Sequence, residues 1–142
     1  MNVEIVPLEL DTYEQVIALW QKCDGVGLSD ADSREGIAAY LKRNPGFSFI
    51  AQANGTVVGA ILCGHDGRRG YLNHLAVHPD WRRRSIGRRL VEHCLGALRD
   101  AGIQKCHLFV FNHNEDGFRF WKSLGWTPRN DLSLISKSTA RG

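Results

Sequence analysis

Apolar residues recur along this chain at two spacings, every second position in some stretches and every third or fourth position in others. The first spacing is typical of strands and the second of amphipathic helices. In the N-terminal third the patterns predict a strand at 3–8, a helix capped by Asp11, a loop at 23–33, and a helix that Ser33 or Asp32 caps and that ends near Arg43. The chain is therefore expected to begin with one strand and two helices.

The strongest local signal is a hairpin in the middle of the chain. Two apolar runs, 47–53 and 56–64, flank the dipeptide Asn54-Gly55, which favours a tight type I′ turn. The remaining patterns predict, in order, a strand at 71–77, a helix at 85–101, a strand at 106–111, a short helix at 115–124, and one or two strands between Trp126 and Lys137. The predicted order is β-α-α-β-β-β-α-β-α-β, with antiparallel hairpins before a βαβ unit.

The composition predicts one globular domain over residues 1–142. Of the 142 residues, 43% are hydrophobic and 23% are charged, which suits a single core with an ordinary surface. No apolar run has membrane-spanning length, and residues 1–25 lack the basic start and apolar stretch of a signal peptide. The four cysteines lack C-x-x-C spacing and the histidines lack ligand spacing, so we expect no metal site and a cytoplasmic protein with reduced thiols.

Positive charge is concentrated where a predicted strand turns into a helix. The formal net charge is only +3, yet five arginines stand at positions 82, 83, 84, 88 and 89. The start of a helix leaves backbone N–H groups unpaired, and the helix dipole adds partial positive charge there. This combination predicts a site for a phosphate or pyrophosphate group. The alternative is a solvated charged face without a ligand.

The same segment resembles the first signature of the GCN5-related N-acetyltransferase (GNAT) family. That signature is an apolar strand, His-Pro, an aromatic residue and then Arg/Gln-x-x-Gly-x-Gly/Ala at the start of a helix. It corresponds here to AVHPDWRRRSIGRRLV at 76–91. Arg82 opens the pattern, and Ser85 and Gly87 take its two glycine positions.

A second segment, NEDGFRFWKSLGW at 114–126, resembles the other family signature, with Asn114 and Gly125 at its fixed positions. The resemblance covers nearly the whole chain and is closest to small bacterial acetyltransferases of unknown substrate. It implies an α/β (α+β) GNAT fold with a mixed central sheet of six to seven strands, about four flanking helices, and splayed strands 4 and 5. It also implies transfer of an acetyl group from acetyl-CoA, the cosubstrate, to a primary amine by direct attack in a ternary complex.

The resemblance further implies which residues bind acetyl-CoA. Its pyrophosphate would lie on the backbone amides of residues 83–88, which we call the amide cradle. Its pantetheine arm would pair with the strand edge at 75–77, where the backbone of Leu75 would polarise the thioester carbonyl. The implied cofactor-binding residues are Leu75, Ala76, Val77, Arg82, Arg83, Arg84, Ser85, Ile86, Gly87, Arg88, Asn114 and Trp121. The alternative for Asn114 is a helix cap.

Three departures from the family pattern stand out. Arg83 and Ser85 replace glycines, and Ser85 adds a Cβ where backbone is expected to approach phosphate. Gly117 stands at the usual alanine position. Trp121 stands where relatives often have the tyrosine that protonates the departing thiolate, and an indole N–H is not a useful acid.

No carboxylate occupies the expected position of the general base. The matching residues are Tyr71 and Asn73, and His74 lies beside them. His74 has a suitable intrinsic pKa, but strand alternation predicts that it faces away from Asn73. The other candidates are His65 and Asp66 in the preceding turn, or a water chain.

The acceptor amine is not identified by the sequence. The loop at 23–33 carries Asp24, Asp30 and Asp32, which would attract a cationic amine. The acceptor is a small amine, an amino acid, or the amino group of a peptide or protein.

Two rival interpretations are a CoA-binding module without turnover and a basic nucleic-acid module; we expect no nucleic acid and no membrane partner. Small members of the family are often dimers, so the resemblance implies a homodimer, although the sequence itself does not fix the oligomeric state.

Overall fold

The computed structural model describes residues 2–140 and contains the predicted order of elements up to the last helix. The strands and helices are β1 Glu4–Pro7, α1 Tyr13–Lys22, α2 Arg34–Arg43, β2 Phe49–Ala53, β3 Thr56–His65, β4 Gly70–Val77, α3 Ile86–Asp100, β5 Cys106–Leu108 and α4 Glu115–Ser123. The chain divides into two units, one ending at Phe111 and one beginning at Asn112. The first unit contains the whole sheet and helices α1 to α3.

The sheet has the strand order β1-β2-β3-β4-β5. Its first three pairings are antiparallel and the pairing of β4 with β5 is parallel, so the sheet is mixed as expected. The turn between β2 and β3 has positive φ at both Asn54 (53°) and Gly55 (77°), as a type I′ turn requires. The hairpin prediction is confirmed.

The prediction of six to seven strands was too high, because five are present among the described residues. The stretch from Trp126 to Lys137 contains no strand, and its apolar residues Leu132, Leu134 and Ile135 are exposed. Strand β5 ends at Leu108 instead of continuing to residue 111. An alternating pattern indicates a side-chain arrangement that suits a strand, but a strand also needs a partner for its backbone hydrogen bonds.

The helices of the first unit cover both faces of the sheet. Helix α1 inserts Val16, Leu19 and Trp20 into a core that includes Ile50 and Leu62. Helix α3 covers the opposite face. Its apolar stripe of Ile86, Leu90, Val91, Cys94 and Leu98 is buried, as the sequence pattern predicted.

The start of α2 follows the sequence prediction, whereas the start of α1 differs from it. The Ser33 side chain accepts a hydrogen bond from the N–H of Gly36 and caps α2. Asp11 lies inside a short 3-10 helix, Leu10–Thr12, and Thr12 takes the cap position of α1 without a side-chain cap bond. Asp11 is therefore not the cap.

At one point of their pairing, strand β4 has one extra residue relative to β3. Ala60 pairs with Ala76 and Leu62 pairs with Asn73, so the one residue between them on β3 faces two residues on β4. One of the two, His74, has a φ of 57°, in the left-handed region that non-glycine residues seldom adopt. These are the features of a β-bulge, which interrupts the alternation of side chains along β4.

Strands β4 and β5 pair over only part of their length. The parallel pairing runs from Gly70 opposite Cys106 to Leu72 opposite Leu108. Strand β4 continues to Val77, so among the described residues its edge from 73 to 77 has no partner on the β5 side. The predicted separation of strands 4 and 5 is present, and it leaves backbone hydrogen-bonding groups of β4 free for another chain or a ligand.

The second unit consists of α4 and the segments that flank it. Asn114 caps α4 by accepting a hydrogen bond from Gly117 N–H at 3.0 Å. Gly125 ends the helix with a φ of 91°. The Trp121 ring packs edge-on against the rings of Phe120 and Trp126, at centroid distances of 5.1 and 5.2 Å.

Gly59 allows the first turn of α3 to lie close to β3. A Cβ added at Gly59 would be 3.1 Å from Leu90 Cδ1 and 3.2 Å from Ile86 Cγ2. We expect Gly59→Val to lower the free energy of unfolding by about 1–3 kcal/mol, because the added side chain overpacks this contact. Denaturant unfolding measures the change. Gly96→Ala on α3 is the control, since a Cβ there meets no atom within 4 Å; an equal loss in that variant would contradict the close-contact explanation.

Candidate functional site

The connection between β4 and α3 contains two residues in a glycine-like conformation. After β4 the chain forms a short 3-10 helix, Pro79–Trp81, which His78 caps by accepting a hydrogen bond from Asp80 N–H. Arg83 and Ser85 then have φ angles of 64° and 61°. The two positions at which the sequence departs from the glycines of the family signature thus retain the left-handed backbone that glycine adopts most easily.

The amide cradle has donors without acceptors. Helix α3 begins at Ile86, and Ser85 at its cap position makes no side-chain cap bond. The backbone N–H groups of Ile86, Gly87 and Arg88 have no acceptor among the described residues. The first turn contains no acidic residue. These groups therefore provide the cluster of N–H donors and the positive dipole end that an anion requires.

The five arginines of this region have different roles. Arg82 Nε donates to the Val77 carbonyl at 3.1 Å, and Arg89 donates to the Val3 carbonyl at 3.0 Å. The Arg84 guanidinium lies 4.7 Å from the centre of the Trp81 ring. Within residues 2–140 none of the five forms an ion pair with an acidic side chain, so their positive charge is not neutralised by the protein.

The side chains of Arg83 and Arg88 are exposed. Neither side chain makes a hydrogen bond or a ring contact to the described residues. Arg82 has its guanidinium committed to the protein. It is therefore placed to hold the end of β4 against the turn, and Arg83 and Arg88 are the side chains most available to an anion.

The predicted pantetheine edge lies at the unpaired end of β4. Leu75 is the second residue of the bulge, Ala76 is buried beneath α1, and Val77 pairs with Gly59 on β3. The Val77 carbonyl is occupied by Arg82 Nε. Only the short turn at 78–82 separates the edge from Asn73 to Val77 from the amide cradle. Both predicted regions lie in the first unit.

His74 belongs to a buried polar cluster that the sequence did not reveal. Its Nε2 lies 2.9 Å from Asp32 Oδ1, and its ring is 5.0 Å from the Trp20 ring. The His74 and Asp32 side chains are 17% and 8% exposed. The other Asp32 carboxylate oxygen accepts from Ser29 N–H at 3.0 Å, and the Tyr13 hydroxyl donates to the Asp32 backbone carbonyl at 2.6 Å.

The expectation that His74 faces away from Asn73 was wrong. Asn73 contacts the hydroxyl of Tyr40 on α2, and His74 contacts Trp20 on α1, so both side chains lie on the face covered by these helices. The bulge is the reason, because an extra residue in one strand interrupts the alternation on which the expectation rested. Burial raises the pKa of Tyr40, which keeps its phenol neutral in this contact.

The turn residues His65 and Asp66 have structural roles. His65 Nδ1 accepts from Gly67 N–H at 2.9 Å, and Asp66 Oδ1 accepts from the N–H groups of Arg68 and Arg69 at 2.8 Å each. The hydrogen bonds from Arg69 and Arg68 hold the pKa of Asp66 below its usual range. Both side chains therefore stabilise the turn, and neither has an arrangement that favours proton abstraction.

Asn114 and Trp121 lie in the second unit. Asn114 uses its side-chain oxygen as the cap of α4, which was one of its two predicted roles. A Cβ at Gly117 would lie 2.6 Å from Asn114 Nδ2. This contact explains why glycine replaces the usual alanine: the Asn114 side chain occupies the space that a methyl group would fill.

The loop acids differ in environment. Asp24 and Asp30 are exposed, whereas Asp32 is buried and paired with His74. Only Asp24 and Asp30 are therefore available to attract a cationic acceptor from solvent. No group of three metal-binding side chains exists within residues 2–140, and no helix in that range is long and apolar enough to cross a membrane.

Comparisons with known proteins agree with these features. A model of the acetyltransferase (GNAT) family matches residues 13–126. An acetyltransferase of Sodalis glossinidius (strain morsitans) is 32% identical over 135 residues, which cover 95% of this chain and 94% of that protein. An acetyltransferase of Pectobacterium atrosepticum is 35% identical over 132 residues, or 93% of each chain.

Among solved structures, the fold is similar to that of the PaiA N-acetyltransferase of Thermoplasma acidophilum in complex with coenzyme A. The TM-score is 0.78 at 21% sequence identity, covering 89% of this chain and 91% of that one. At this level of identity the likeness concerns the fold.

The conformation of Ser85 gives a test of the cradle backbone. We expect Ser85→Gly to raise the free energy of unfolding by about 1 kcal/mol, because glycine removes the cost of a side chain at a left-handed φ. Denaturant unfolding measures this. Ser85→Ala is the matched control: it keeps the Cβ and removes a hydroxyl that makes no cap bond, so we expect no gain. Equal stabilities for the glycine and alanine variants would show that the backbone is not strained there.

Proposed function

The chain belongs to the acetyltransferase (GNAT) family, whose members transfer an acetyl group from acetyl-CoA to an amine, and we propose the following roles for its own residues in that reaction. The observation that carries the proposal is the amide cradle. Among residues 2–140, it combines unpaired N–H groups at the start of α3 with arginines that no acidic side chain neutralises, directly after a strand edge that has no partner.

The cradle is proposed to bind the pyrophosphate of acetyl-CoA. The N–H groups of Ile86, Gly87 and Arg88 would donate to its oxygens, and the side chains of Arg83 and Arg88 would add charge. Two phosphate groups match this site better than a nucleic-acid backbone does, because the donors converge at one helix terminus and do not extend along a surface.

The edge of β4 is proposed to bind the pantetheine arm. A ligand with amide groups can pair with the edge from Asn73 to Val77 as a strand would. The backbone N–H of Leu75, in the bulge, is the proposed donor to the thioester oxygen, where negative charge develops when the amine attacks.

The chemical step is direct transfer between two bound molecules. The lone pair of the neutral amine nitrogen attacks the thioester carbonyl carbon, and the C–S bond breaks to release the CoA thiolate. The nitrogen loses a proton, for which we propose His74 as the acceptor. No phenol is proposed as the acid, because the family position holds Trp121, so the thiolate takes its proton from solvent.

The acceptor is proposed to be a primary amine that enters from the side of α1, α2 and their connecting loop. The exposed Asp24 and Asp30 on this loop favour a cationic acceptor over an anionic one.

A homodimer stays a prediction, as does a cytoplasmic location, with which the four free cysteines are compatible. The rival function, CoA binding without turnover, rests on Trp121 and on the absence of a carboxylate at Tyr71 and Asn73.

Stabilisation of the folded protein by a ligand distinguishes the acetyltransferase hypothesis from the nucleic-acid hypothesis. We expect saturating acetyl-CoA to raise the Tm and a DNA oligonucleotide to leave it unchanged. Binding at about 100 times Kd adds about 2.7 kcal/mol to the stability of the folded state. A thermal-shift assay measures both ligands. A Tm increase with the oligonucleotide and none with acetyl-CoA would contradict the proposed function.

Gly87 tests the position of the pyrophosphate. We expect Gly87→Glu to fold normally and to lose acetyl-CoA binding by at least about tenfold, because a carboxylate would repel the phosphate groups at the cradle. Calorimetric titration measures the affinity. Gly96→Glu, later on the same helix, adds the same charge away from the cradle and is the control. Wild-type affinity in Gly87→Glu would place the pyrophosphate elsewhere.

Substitutions of Trp121 test whether this position, which often carries a tyrosine in relatives, serves only as an apolar surface and not as an acid. We expect Trp121→Phe to keep most of the turnover, since an aromatic face remains and the indole has no proton to donate at working pH. Trp121→Tyr should also be active. Steady-state rates with acetyl-CoA and an accepted amine decide this. Loss of turnover in Trp121→Phe, with folding and acetyl-CoA affinity intact, would show that the indole N–H takes part directly.

A further inference from the structure

We propose that Asp32 is a positioning residue, which holds the His74 imidazole with its proton on Nε2 and leaves Nδ1 free to accept a proton from the attacking amine. The inference rests on the proposed function and names a residue that the family signatures do not contain. Asp32 and His74 are 42 positions apart in sequence and meet only because the bulge in β4 directs His74 toward the short 3-10 helix Asp30–Asp32.

The contact determines the tautomer of His74. The Asp32 carboxylate has only acceptors, so the bond at 2.9 Å between Oδ1 and Nε2 requires the proton to be on Nε2. In the neutral imidazole the lone pair is then on Nδ1. For Nδ1 no partner is present among the described residues. The free lone pair makes Nδ1 the ring atom that can accept a proton.

The position of Asp32 is itself fixed by two further contacts. Its second carboxylate oxygen accepts from Ser29 N–H, as part of a capping box with Ser29, and its backbone carbonyl accepts from the Tyr13 hydroxyl. The carboxylate therefore cannot follow a rotating imidazole.

The surroundings of His74 also favour a reactive role. The ring of Trp20 from α1 lies against it, and no charged side chain other than Asp32 forms an ion pair with it among the described residues. The Trp20 indole N–H is buried without an acceptor there. An unpaired buried donor is uncommon in proteins.

Asp32→Asn reverses the hydrogen-bond pattern without changing its shape. In this variant the amide oxygen must face Ser29 N–H, because the amide nitrogen cannot accept from it. The amide nitrogen then donates to His74 Nε2, which must become an acceptor. The proton moves to Nδ1, and the proposed base is lost although its side chain is unchanged.

Two measurements test the inference. Long-range ¹H–¹⁵N spectra of the histidine rings, with His74 assigned by its loss in His74→Gln, should show the Nε2–H form in the wild type and the Nδ1–H form in Asp32→Asn. Steady-state assays of CoA release, with spermidine, L-lysine and an alanine-terminated tripeptide as probe amines, should show kcat about 10²-fold lower in Asp32→Asn. The KM for acetyl-CoA should stay within about threefold, because the cradle is not altered.

Asp11→Asn is the control, since it removes one carboxylate charge from an exposed side chain of the short 3-10 helix Leu10–Thr12, which has no part in the proposed site; it should keep wild-type kcat. An Nδ1–H form of His74 in the wild type overturns the inference, whether or not the asparagine variant folds. An Asp32→Asn variant with wild-type kcat also overturns the inference. A wild type that binds acetyl-CoA but releases no CoA with any probe amine overturns the proposed function instead, and the tautomer measurement then stands alone as the test of the Asp32 contact.

Discussion

The extra residue in β4 is the constraint on which the rest of the site depends. Since β4 has two residues opposite one of β3, His74 takes a left-handed conformation and the alternation of side chains shifts. The pairing of β4 with β5 ends at Leu72, just before the bulge, although β4 continues to Val77. The same part of β4 thus combines an edge without a partner among the described residues with an imidazole directed toward α1.

The cradle at the start of α3 depends on a second irregularity of the backbone. Arg83 and Ser85 both have positive φ angles, which turn the chain sharply from β4 into α3 and leave the first N–H groups of the helix unpaired. Gly59 allows the same turn of α3 to pack directly on β3. A left-handed non-glycine residue costs roughly 1–2 kcal/mol, and such strain is typical of functional sites. The arginines of the turn add charge, and Arg82 also ties the turn to the end of β4.

Much of the fold was predictable from local chemistry. The Asn54-Gly55 turn, the Ser33 cap and the stripe of α3 each depend on neighbouring residues, and each prediction agrees with the structure. The strands expected after Trp126 are absent, because an alternating pattern fits a strand yet does not provide a partner.

The candidate site was predictable where it consists of contiguous sequence and was missed where it does not. The cradle could be located because strand, turn and helix start follow one another in the chain. The Asp32 contact could not be predicted, since the segment at the bulge contains neither glycine nor proline to mark the irregularity. Without the bulge, alternation places His74 on the wrong face. His74 was therefore identified as a candidate base without the partner that orients it.

Amide hydrogen exchange on adding acetyl-CoA tests the central claim most directly, because it reports on individual N–H groups. If the unpaired donors of α3 and the free edge of β4 hold the ligand, exchange should slow at Ile86, Gly87, Arg88 and Leu75. Exchange at the exposed amides of the 65–70 turn should not change. Acetyl-CoA that binds, yet leaves the amides of the cradle and of Leu75 as exchangeable as before, would contradict the account.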